Sequence, residues 1–80
     1  MYQVTLEQFP SKIRERVERI VHKHSGGKLD HQQRQALLAL VLAGQPQIIA
    51  RYAEEHVAAN VVKECQLLGG SALVGPVEAA

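Results

Sequence analysis

Aromatic rings are scarce in this chain. Tyr2, Phe9 and Tyr52 make up 4% of its 80 residues, and tryptophan is absent. A stacking platform for single-stranded nucleic acid needs several exposed rings, so that class is disfavoured. Cysteine is scarcer still: Cys65 stands alone, which excludes an internal disulfide and suits a reducing compartment. No long apolar run occurs. The longest, Ala36 to Ala43, has eight residues, whereas a membrane-spanning helix needs about 20. The first residues, Met-Tyr-Gln-Val-Thr-Leu-Glu, lack the basic region and apolar core of a secretory signal. Nor is there an excess of one charge, because nine Lys and Arg against eight Asp and Glu leave +1. What is present is globular composition, 46% hydrophobic and 21% charged. The expectation is one small cytoplasmic domain.

Helical signals dominate the first reading. Thr5-Leu6-Glu7-Gln8 has the form of a capping box, and Pro10 suits the first position of a helix. Apolar residues at 13, 17, 20 and 21 then recur on one face, and Ser25-Gly26-Gly27 supplies a stop. Asp30 is an apt N-cap for a second helix, 31–43, closed by Gly44. This second segment is apolar around its whole circumference. A third helix, 46–68, opens at Pro46 and ends at Gly69-Gly70. It bears two stripes, Ile49/Ala53/Val57/Val61/Leu68 and Ile48/Tyr52/Ala59/Val62, roughly 150° apart. No strand pattern of useful length is read. The expected fold is therefore all-α: a compact three-helix domain over 1–70, with helices at about 5–24, 31–43 and 46–68, short turns and a flexible tail at 71–80.

A chain this short leaves much of its surface in water. A helix apolar all round, beside another with two apolar stripes, implies burial that one copy does not supply. A helical homodimer is expected on that ground, with Ile48, Tyr52 and Val62 as a partner or dimer interface.

The polar features are weighed one at a time. Lys12, Arg16, Arg19 and Lys23 share a strip along the first helix, spaced by steps of four, three and four. Residues 1–24 carry five bases and three acids, while 46–80 carry two bases and four acids. The strip is either a docking surface for an acidic partner or phosphates, or a solvated face. The second helix, Gly44 and the third helix have the spacing of a helix-turn-helix, in which Gln47 and Arg51 would contact nucleic acid. Glu54, Glu55 and the length of the third helix weigh against it. His22, His24, His31 and Asp30 gather near the first loop, yet His22 and His24 point about 200° apart on a helix and do not grip one metal. His24 is expected to cap the last carbonyls of its helix. Ser25-Gly26-Gly27-Lys28 lacks the upstream glycine, the preceding strand and the following Ser or Thr of a phosphate loop. Cys65 is nine residues from His56, too far along one helix to pair with it, and is expected to be a small packed hydrophobe.

These readings point to a non-enzymatic regulatory or interaction protein that binds another macromolecule, a protein ahead of nucleic acid. They imply no cofactor, metal, membrane or small-molecule substrate. Small bacterial and phage regulators offer an analogy of size only. The alternative is a dimeric DNA-binding transcriptional regulator using the helix pair and the basic strip.

Overall fold

The computed structural model describes residues 1–77. Its elements run β1 (Tyr2–Gln8), a 3-10 turn (Ser11–Ile13), α1 (Arg14–His24), α2 (His31–Leu42), β2 (Gln47–Tyr52), α3 (Glu55–Leu67) and β3 (Ser71–Pro76). The all-α expectation is overturned: this is an α+β fold with a three-stranded sheet in the order β2-β1-β3. Both outer strands run antiparallel to the central β1.

Residues 2–8 are a strand because they alternate. Val4 and Leu6 are fully buried while Gln3, Thr5 and Glu7 stand on the other face, the period of two that a half-buried strand requires. The Thr5/Gln8 capping box is therefore not used. Thr5 instead pairs with Ile48 on one side and Leu73 on the other. The expected third helix divides in two. Each of its two stripes is cut by the break: Ile48, Ile49 and Tyr52 lie on β2, and Val57, Ala59, Val61 and Val62 lie on α3, so that Ile49 and Ala50 enter the core from β2 and Ala58, Val61 and Cys65 enter it from α3. A bulge explains why β2 does not alternate. Val4 pairs with Ala50 and Thr5 with Ile48, so Ile49 is an extra residue, and Ile49 and Ala50 are both buried. Residues 71–76, expected as tail, form β3 along the other edge of β1. Residues 78–80 of that expected tail lie outside the described part.

Other boundaries follow the sequence closely. Asp30 accepts from the Gln33 amide at 2.7 Å, and the Gln33 side chain accepts from the Asp30 amide at 2.9 Å, a complete capping box. After α2, Gly44 takes φ +92° and the amide of Gln45 reaches back to the Leu40 carbonyl at 2.9 Å. After α3, the Gly70 amide likewise reaches Cys65 at 2.9 Å. Both ends satisfy orphan carbonyls in the same way, and the positive φ is why glycine stands there.

The helices cover one face of the sheet. Val4, Leu6, Ala50 and Ala72 meet Val17 and Val21 of α1, Leu38 and Val41 of α2, and Ala58, Val61 and Cys65 of α3 in one core that Phe9 closes. Among the described residues no polar or charged residue is buried there. Each Val or Leu buried in this way stabilises the fold by about 1.5–3 kcal/mol. The opposite face of the sheet has no helix over it.

Candidate functional site

The uncovered face is built from alternate residues of three strands. Thr5 is at its centre, Ile48 beside it on β2 and Leu73 beside it on β3. One register step away lies a second row, Arg51, Gln3 and Gly75. Ile48 is 42% exposed and Leu73 58% exposed. Two large apolar side chains thus flank a central threonine across the sheet, with polar residues around them. Glu7, at a second bulge opposite Ser71, accepts a hydrogen bond from the Ser71 hydroxyl at 3.1 Å and secures one end of the face.

A groove of about 400 Å³ follows the outer edge of β2 and reaches behind it to the α1–α2 loop, so that Ile48 and Arg51 of the open face and Ile49 and Ala50 of the buried face all line it. Leu29, Ile49 and Ala50 give it an apolar floor, and its charged lining residues are Lys28 and Arg51. Neither makes an ion pair among the described residues.

A polar network ties the ends of three elements beside this groove. His24 at the end of α1 stands between Tyr52 of β2 and Glu64 of α3. Its Nε2–H donates to Glu64 Oε2 at 2.9 Å, and its Nδ1 is bonded to the Tyr52 hydroxyl. With the ring neutral the hydroxyl donates; with the ring protonated the hydroxyl accepts, so either state is satisfied. Lys23 Nζ lies 3.5 Å from the other oxygen of Glu64. The hydrogen bond from His24 holds the Glu64 carboxyl below its ordinary value against the opposing effect of burial. Burial, aided by the Glu64 charge, pushes the Tyr52 phenol up. Hydroxyl, imidazole and carboxylate in series resemble a nucleophile, base and orienting group. Here the hydroxyl is a phenol, and burial with the Glu64 charge disfavours its ionised form. The expectation that His24 caps its helix carbonyls is corrected: the ring turns to β2 and α3.

A second network joins α1 to α2. Glu18 accepts from His31 at 2.8 Å, Arg34 at 3.3 Å and Gln35 at 2.7 Å. Burial pushes its carboxyl up, but the bonds from His31 and Arg34 outweigh it and leave the group below its ordinary range. Arg34 also donates to the Leu29 carbonyl at 2.6 Å, which fixes the loop wall of the groove behind β2.

The residues singled out from sequence separate in space. Arg16, Arg19 and Lys23 lie exposed on α1, and Lys12 is exposed on the 3-10 turn that leads into it. Lys23, still largely exposed, lies 3.5 Å from Glu64 of α3. Gln47 and Arg51 lie on a strand, which removes the helix pair on which the helix-turn-helix reading depended. Ile48 lies on the open sheet face, whereas Tyr52 and Val62 are half-buried against the core. Cys65 is buried in the core, and burial pushes its thiol up to about 11, far from a reactive thiolate at neutral pH. Among the described residues no cluster of three His, Cys, Asp or Glu has the geometry of a metal site, and no helix is long and apolar enough to cross a membrane.

Fold and surface together define a small α+β module whose sheet has helices on one face and exposed apolar side chains on the other. No family model, curated protein or solved structure matches the chain.

Proposed function

We propose that this chain is a non-catalytic cytoplasmic module that regulates or adapts another protein by binding it on the open face of the sheet. The observation that supports this reading most directly is the Ile48–Thr5–Leu73 row. The core behind it is built of apolar residues, with no polar residue buried among the described ones, and the exposed Ile48 and Leu73 are not part of it. Apolar side chains on the same face, one on each side of a central threonine and rimmed by polar residues, suit an interface.

The test is affinity capture from native host lysate, with nuclease treatment and a high-salt wash. Ile48→Thr with Leu73→Thr keeps strand preference while removing apolar area. A protein partner retained by the wild type through both treatments, and held at least about tenfold more weakly by the double variant, is the expected result. Capture that is unchanged in the double variant, or that disappears with nuclease, contradicts the reading.

A second reading, a homodimer, is favoured by α2. Ala36, Ala39, Leu40 and Ala43 remain exposed along it, and Leu40 is 41% exposed. An untagged copy added to the same capture tests this. Retention that Leu40→Glu abolishes supports self-association through α2, and no retention refutes it.

A further inference from the structure

We infer that the outer edge of β2 and the groove behind it form a site for an extended acidic segment of a protein partner, which would add to the sheet as a fourth strand. The inference rests on the reading that the chain binds a protein, and it goes further by naming the shape and charge of what is bound.

Four observations converge on this edge. First, β2 is an outer strand of the order β2-β1-β3, and its backbone bonds only to β1 among the described residues. An unpaired strand edge presents a row of donors and acceptors that an extended peptide matches. Second, the groove of about 400 Å³ runs along residues 48–51, with the α1–α2 loop as its other wall. Leu29, Ile49 and Ala50 offer apolar contact within it. Third, the charged groups lining it are Lys28 from the loop and Arg51 from the strand, and no acid lines it. Two cations that make no ion pair among the described residues, beside an open strand edge, favour a peptide carrying Asp or Glu. Fourth, Ile48 joins this edge to the open face: its side chain stands there while its backbone belongs to the edge. A strand added at β2 would widen the proposed binding face rather than compete with it.

The other edge lacks this combination. In β3, Pro76 has no amide to donate, and the strand bears no charged residue. The wall of the β2 groove is also held in place. Arg34 fixes the loop through the Leu29 carbonyl, and His24 holds Tyr52 at the end of β2. A receptor edge fixed on both sides loses little freedom when a peptide binds.

Random peptides displayed on phage, selected against the full chain, test the inference. The isotope-labelled protein is then titrated with the selected peptides and with a single-stranded oligonucleotide. Expected are peptides enriched in Asp or Glu among β-branched residues. Their largest amide shifts should fall at Lys28 and Ile48–Arg51, with slowed hydrogen exchange in β2. Lys28→Glu with Arg51→Glu should weaken those peptides about tenfold and turn a fresh selection toward Lys and Arg. Several results would overturn the site: no selected peptide, no acidic enrichment, an unchanged preference in the charge-reversed variant, shifts confined to Thr5 and Leu73, or shifts at Lys28 and Arg51 with the oligonucleotide alone. The capture experiment with the Ile48/Leu73 variant stands apart from this one, so failure of the edge site and failure of the open-face reading are told apart.

Discussion

His24 is the residue on which most of the polar organisation turns. One ring joins α1, β2 and α3 through Tyr52 and Glu64, and no local sequence signal marks it. Nothing local marks Glu64 either, and its role appears only when the fold brings the end of α1 to the last turn of α3. Replacing His24 with Ala leaves the Tyr52 hydroxyl and the Glu64 carboxylate without their ring partner and should cost about 1–3 kcal/mol in chemical unfolding. Tyr52→Phe should cost less, about 1 kcal/mol. Acid reads the same network. Glu64 titrates below its ordinary 4.5 in the folded chain, so its ionised form stabilises the native state at higher pH. That contribution is complete above 4.5 and is lost as pH falls through the lowered folded value. Glu18 is lowered as well and adds to the same loss. Glu64→Gln should therefore make stability fall less steeply in acid, with the remaining slope due largely to Glu18. Denaturant midpoints measured from neutral pH downward decide this, and an unchanged slope in Glu64→Gln would show that the carboxylate does not stabilise the fold.

At the scale of elements, the helices that survive are those whose caps are local. Asp30 with Gln33 and the glycines after α2 and α3 act within a few residues, so their boundaries could be read directly. The strands depend on distant partners. Tyr2-Gln3-Val4-Thr5-Leu6-Glu7 does alternate, but it also contains a capping box, and only pairing with residues 47–52 and 71–76 decides between them. In β2 the bulge at Ile49 erased the alternation that would have marked a strand. Ser71–Pro76 is short, small and glycine-containing, and resembles a tail until β1 lies beside it. The two accounts of this segment differ in a measurable way. Truncation after Gly70 removes one of the two partners of β1, together with the buried Ala72. It should abolish cooperative thermal unfolding. A truncated chain that melts as sharply and as high as the full one would restore the tail.

For the whole molecule, the open face of the sheet was hidden from the sequence for the same reason as the sheet itself. The sequence pattern groups Ile48 with Tyr52 and Val62 on one helix as an expected interface, and that helix does not exist. Ile48 instead lies beside Thr5, with Leu73 on the far side of Thr5. The basic residues are legible in the sequence and are exposed in the fold, with Lys23 near Glu64 of α3. Site-specific photocrosslinking in the native host, with the reactive group at Leu73 and a control at Lys12, tests the central claim most directly. Crosslinks from Leu73 to one partner protein, with few from Lys12, are the result this account predicts. Crosslinks from Lys12 to a protein or nucleic acid, with none from Leu73, would contradict it.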